Sequence, residues 1–141
     1  MLLSVVLILP VAVALHQHQS GFHAVGMVLW LFFGAGFGEE VFYRGYLQSR
    51  LNVAFGRPLR LGGVQFGAGL IIMSLLFGFL HALNPVDYFQ GRFAFAWGYG
   101  VATFCVGLLY GFLRETTGGI VAPAITHGVL DVMARLSSFV P

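Results

Sequence analysis

From residue 22 to residue 140 the sequence is a succession of long apolar stretches separated by short polar connectors, and this layout constrains the fold more than any other feature. The stretches cover residues 22–51, 67–83, 93–113 and 120–140, with a shorter one at residues 2–15 ahead of them. Seven Arg, no Lys and five acids leave only 9% of the chain charged, against about 25% in an ordinary soluble domain. So few charged side chains cannot wrap a water-soluble globule of 141 residues, and the expected solvent is lipid. Lipid offers no partners to backbone N–H and C=O groups, so each span must satisfy its own. None of the stretches alternates with period two, which excludes a membrane β-barrel. The expectation is an all-α, polytopic transmembrane bundle of about five helices, a single domain over residues 1–141 with its core at 22–140.

Composition removes further classes. One cysteine, Cys105, excludes a disulfide scaffold and reads as a core residue of an apolar helix. A net charge of +2 is too sparse for a nucleic-acid footprint, so no nucleic-acid partner is expected. The 20 glycines point to close helix contact, with GxxxG spacing at Gly34 and Gly38 and again at Gly107 and Gly111. Residues 2–15 read as a short span broken by Pro10. The alternative is a signal peptide ending at Ala12-Val13-Ala14, but no Arg or Lys precedes the stretch. Pro85 ends the third helix by forcing Asn84 out of helical angles. Arg50, Arg57 and Arg60 crowd the connector between the second and third stretches, which the positive-inside rule places in the cytoplasm. The expected location is a prokaryotic cell membrane, crossed several times.

An ionisable side chain inside a membrane is costly and marks function by default. Three places qualify. In the first, Glu40 and Arg44 stand four apart with the acid first, the favourable helical ion-pair order. Glu40 thus reads as the structural partner of Arg44, while Glu39, without a local cation, is free to take a proton; the plain alternative is that this end of the helix has left the membrane. The second is His81, with Phe77 one turn earlier on the same face to support its ring; the plain alternative is a core histidine. The third is His127 and Asp131, again four apart and on one face. Here the acid either fixes the imidazole tautomer or joins it in holding a water or an ion, and the plain alternative is a local pair near a helix end. If the second and third helices are antiparallel about a turn at residues 53–67, Glu39 and His81 both lie about 21 Å from it at ~1.5 Å per residue. His127 lies about 12 Å beyond Gly119 by the same rise. It comes level with the other two only if the second helix protrudes by about two turns, which Arg44 and Arg50 suit, and one Glu, two His and one Asp are then expected to converge in a polar pocket.

Such a set suits hydrolysis. The carboxylate takes a proton from water, and the imidazoles orient it or stabilise the oxyanion. Alternatively, Glu39, His81, His127 and Asp131 would bind Zn2+, although no HExxH helix is present. No GxSxG occurs and Ser74 has no adjacent base, which leaves no serine nucleophile. His16, His18 and His23 flank a connector and read as solvated.

Glu39-Glu40-x-x-x-Arg44, Phe77-x-x-x-His81 and His127-x-x-x-Asp131, in this order on successive hydrophobic helices, resemble the CPBP family (CAAX protease and bacteriocin-processing) of intramembrane endopeptidases. The same fold includes the type II CAAX prenyl endopeptidases, and the resemblance covers residues 22–140. It implies a multi-helix membrane protease in which Glu39 activates water with His81, and His127 with the residue four on stabilises the oxyanion. That residue is often Asn in eukaryotic members and is Asp131 here. A carboxylate donates a hydrogen bond only when protonated, so Asp131 is expected to orient His127 or to bind a metal. The resemblance implies a metal-free glutamate mechanism without a cofactor, with a zinc metalloprotease as the alternative. The implied partners are the bilayer and a peptide or membrane-protein substrate, such as a prenylated C-terminal tail, a pheromone or bacteriocin leader, or a C-terminal sorting helix. Two further readings are a non-catalytic immunity or scaffold member of the fold, and a small transporter. The lack of an inverted repeat counts against the transporter.

Overall fold

The computed structural model describes residues 21–87 and 89–137. The apolar stretch 2–15, together with His16 and His18, lies outside the described residues. The described chain is helical apart from one small hairpin. Helix α1 (Gly21–Leu29) leads into two wide-wound segments, π1 (Trp30–Glu39) and π2 (Val41–Gln48), and then α2 (Ser49–Phe55). Strands β1 (Leu59–Leu61) and β2 (Val64–Phe66) follow, then α3 (Ala68–Ala82), α4 (Trp97–Thr117) and α5 (Val121–Ser137). The apolar stretches are therefore the helices, with the second extended to Phe55. The wide winding carries i→i+5 hydrogen bonds and rises less per residue than an α-helix. Depth arithmetic at α-helical rise thus does not apply between Trp30 and Gln48.

The connector expected as a plain basic turn is an antiparallel hairpin, pairing Leu59 with Phe66, Arg60 with Gln65 and Leu61 with Val64. Gly62 and Gly63 close it with φ of 55° and 86°. Two successive positive φ values give the mirror-image turn that matches strand twist, and they favour glycine at both positions.

The Val25–Phe55 helical run, 31 residues, is the one helix among the described residues long and apolar enough to cross a membrane. α3 is apolar but shorter, at 15 residues. Along this run burial is inverted relative to a soluble protein. Glu40, Arg44, Gln48 and Asn52, spaced by four, are at most 4% exposed, whereas Trp30 is 71% and Val53 82% exposed. Water would select the opposite pattern. Lipid selects this one, because polar groups must find partners inside while apolar groups face the acyl chains without cost. Cys105, expected in the core, is exposed on α4 for the same reason: lipid takes its small apolar side chain as readily as a core does.

The chain divides into two units, one from Met1–Glu40 and Val121–Pro141, the other from Val41–Ile120. In the first, α5 packs on π1 around Val28 and Val132, with Met27, Leu31 and Val129 against them. The backbones meet at Gly36, where an added Cβ would stand 2.9 Å from Cα of Gly128. The close approach was expected at Gly34 and Gly38. Gly34 instead faces Trp30 of its own helix and Gly38 the Phe33 carbonyl, because the wide winding turns Gly36 toward α5.

In the second unit α3 and α4 run antiparallel: Leu70 lies against Gly111, Ser74 against Gly107, and Gly78 against Gly100. Gly107 and Gly111 thus take the close-contact role their spacing suggests. α3 ends at Ala82 ahead of Pro85, and the Ala96 N–H donates to the Ala82 carbonyl (2.9 Å), closing the loop between the helices. Gly118, with φ of 71°, caps α4 by donating to the Arg114 carbonyl at 2.9 Å.

Candidate active site

In the first unit, the residue that follows π1 and the helix α5 bring together three of the residues the sequence singles out. The His127 Nδ1 lies 3.0 Å from Oε1 of Glu40, with both side chains buried. The opposite ring nitrogen, Nε2, lies 3.5 Å from Oδ2 of Asp131, whose side chain is 31% exposed. This second distance is that of an ion pair rather than a good hydrogen bond. The four-residue spacing places Asp131 one turn beyond His127, but the group that holds Nδ1 is Glu40. Glu40, read from the sequence as the partner of Arg44, is the carboxylate that faces His127. Glu40 thus fixes the imidazole at one nitrogen, and the other nitrogen faces Asp131. Glu39 adjoins Glu40 and is half-buried.

The second unit contains the other singled-out residues. His81 sits at the end of α3 with Nδ1 2.8 Å from the Phe77 carbonyl. A carbonyl only accepts, so Nδ1 carries a proton, and it is Nε2 that is left to donate or accept elsewhere. The Phe77 ring lies 4.3 Å from the His81 ring and that of Tyr99 5.7 Å away, centroid to centroid. Arg44, fully buried, donates from Nη2 to the Gly107 carbonyl at 3.1 Å. Its guanidinium carbon lies 4.7 Å from the centre of the Phe77 ring, 5.3 Å from Tyr110 and 5.7 Å from Tyr43. Three aromatic faces thus stabilise a cation that lipid would reject.

Sequence reasoning missed a second polar cluster, around Glu115 of α4. Its Oε1 accepts from Gln48 Nε2 at 2.7 Å and from Asn52 Nδ2 at 2.5 Å. Its Oε2 accepts from Arg57 Nε at 2.7 Å and from Arg114 Nη1 at 3.2 Å. Burial pushes this carboxyl upward, but the amide donors Gln48 and Asn52 and the charges of Arg114 and Arg57 outweigh burial and hold it below its ordinary value. The available signal was the run of polar residues at spacing four, Glu40, Arg44, Gln48 and Asn52, along one face of a mainly apolar helix.

The two ring nitrogens of an imidazole diverge, so no single ion bound through His127 also meets both Glu40 and Asp131. Among the described residues no group of three His, Cys, Asp or Glu side chains is arranged to hold a metal ion.

Buried ionisable groups on helices whose apolar faces point outward define a membrane-embedded helical protein. The chain matches the family model described as "Type II CAAX prenyl endopeptidase Rce1-like" over residues 21–133. It belongs to this family, and so to the CAAX-type membrane proteases, hydrolases of the peptide bond. No curated protein and no solved structure matches it significantly.

Proposed function

We propose that the protein is an intramembrane endopeptidase of about five spans that hydrolyses a peptide bond near the membrane surface with a glutamate-activated water and no metal. In this reading Glu39 is the general base. His81 accepts or orients through the lone pair on Nε2, and His127, held at Nδ1 by Glu40, stabilises the oxyanion as the imidazolium through Nε2–H, whose 3.5 Å separation from Asp131 is too long for a good hydrogen bond. Glu40 and Asp131 position His127, while Arg44 and Phe77 support the helices that carry the reacting groups. The observation that carries this reading is the buried 3.0 Å hydrogen bond between Glu40 and His127. It fixes one imidazole beside a second acid, the pairing of orienter and acid–base group that hydrolysis requires. The substrate class that fits the family is a peptide or membrane protein with a lipid-associated C-terminal or leader segment.

The test compares membrane peptides by mass spectrometry from cells carrying the native protein and cells carrying Glu39→Gln. Product fragments present with the native chain and absent with the variant are expected. Identical fragment sets would remove Glu39 from the role of base. A non-catalytic family member would keep its phenotype in this variant, and a transporter would give ion flux in liposomes without peptide product. Purified protein treated with a chelator is expected to keep its activity, and loss restored by Zn2+ would return the reading to a metalloprotease.

A further inference from the structure

The hairpin and the end of α4 form a polar cleft of about 670 Å³ whose lining includes Arg57, Arg60, Gln65, Arg114, Glu115 and Thr116. Its charge balance is three guanidiniums against one carboxylate, an excess of two positive charges. The carboxylate is already engaged: Glu115 binds Arg57 through Nε and Arg114 through Nη1. Arg114 is fixed further by donating from Nη2 to Ser49 Oγ at 2.8 Å. Arg57 thus keeps its terminal nitrogens clear of Glu115, with its side chain 40% exposed. Arg60, exposed on β1, makes no hydrogen bond or ion pair among the described residues. Anchored and unengaged guanidiniums around one cavity are a receptor for a tetrahedral oxyanion, because the planar fork of Arg matches two of its oxygens.

The surroundings specify which oxyanion. Strand geometry sends Leu59 and Leu61 to the face opposite Arg60, and both leucines are exposed, as is Phe55 nearby. The hairpin is therefore apolar on one side and cationic on the other, the division a phospholipid makes between its acyl chains and its headgroup. Arg57 and Arg60 of this connector, with Arg50 at the end of the preceding helix, are the positive charges that the positive-inside rule expects on the cytoplasmic side, where anionic lipids concentrate. We propose that this cleft binds a phosphate ester, namely the phosphodiester of a net-anionic lipid headgroup, with Arg60 and Arg57 as its ligands and Glu115 as the brace that holds Arg57 and Arg114.

The full-length protein in dodecyl maltoside micelles is titrated with dioleoylphosphatidylglycerol, dioleoylphosphatidylcholine and inorganic phosphate, and binding is followed by the shift in unfolding temperature. Phosphatidylglycerol is expected to stabilise the native chain and phosphatidylcholine not to. Arg60→Gln is expected to weaken phosphatidylglycerol binding about fivefold, the usual contribution of one surface cation to an anionic lipid. Arg60→Lys retains the charge and should retain most of the binding. Neither variant should move the unfolding temperature without lipid, since Arg60 holds nothing else in place. Stabilisation by inorganic phosphate alone, lost in Arg60→Gln, would keep the site and assign it to a soluble phosphate ester. The proposal is overturned if phosphatidylglycerol and phosphate both fail to bind, if phosphatidylcholine binds equally well, or if Arg60→Gln binds as the native chain does.

Discussion

Glu40 in the first unit and Glu115 in the second are buried to the same degree, with side chains 0% and 2% exposed, yet their partners give them opposite properties. Glu115 receives two amide and two guanidinium donors, none of which surrenders a proton near neutral pH. Glu40 shares His127 with Asp131, and its partner is therefore an imidazole, which can both donate and accept, rather than an amide or a guanidinium. Burial of an acid in a membrane protein is therefore weak evidence of function by itself. The partner distinguishes them: Glu115 braces amides and guanidiniums, whereas Glu40 faces an imidazole, which it positions in the proposed function.

Exchanging the partners should separate activity from stability. The largest effect is expected for His127→Ala, with cleavage falling about 10²–10⁴-fold as for loss of an acid–base group. Its unfolding free energy should fall by only about 1–3 kcal/mol, the cost of leaving the Glu40 carboxylate short of one donor. Cleavage assays on folded protein alongside chemical denaturation check both halves. A variant that unfolds but cleaves normally while folded would make His127 a brace as well.

Glu115→Ala should show the reverse. It strands two amides and two guanidiniums, costing about 2–4 kcal/mol of stability, the lower part of the range because Arg57 can turn toward solvent. Cleavage per folded molecule should stay within a few-fold of native. The same carboxyl makes stability depend on acid. Its folded value lies below the ordinary 4.5, so its contribution is complete above about pH 4.5 and is lost as pH falls through the folded value. Unfolding curves of the native chain and Glu115→Gln should accordingly differ at pH 7 and draw together on acidification below 4.5. A gap that widens on acidification would mean that the carboxyl is raised instead.

A smaller effect belongs to the helix contact that holds His127 in place. Gly36→Ala puts a methyl 2.9 Å from the backbone of Gly128 and should cost about 1–3 kcal/mol. Gly34→Ala meets only the movable Trp30 ring and should cost less. Thermal unfolding of the two variants side by side checks the order.

Much of the fold is legible in the residues. Apolar length marks the helices, Pro85 marks the end of α3, and the spacing of Gly107 and Gly111 marks the seam between α3 and α4. The hairpin is legible too, in the Gly62-Gly63 pair between short apolar runs, but the high charge of the connector hides it. What spacing cannot convey is winding. Between Trp30 and Gln48 the helix is wider than the 3.6-residue period that sequence arguments assume, so Gly36 rather than Gly34 meets α5. Of the site, the four-residue step from His127 to Asp131 is local and readable. The meeting of Glu40 with His127, 87 residues apart, is a tertiary event that no short-range pattern encodes. Glu115 escaped notice because it lies next to Arg114 at a helix end, where a solvated acid is the ordinary expectation.

The most direct measurement is the single-turnover cleavage rate of full-length protein in liposomes, with Glu39→Gln and Glu115→Gln compared at matched folded fractions. Glu39→Gln is expected to be silent, and Glu115→Gln is expected to cleave at close to the native rate. Cleavage by Glu39→Gln at the native rate, or equal losses in the two variants, would contradict this expectation.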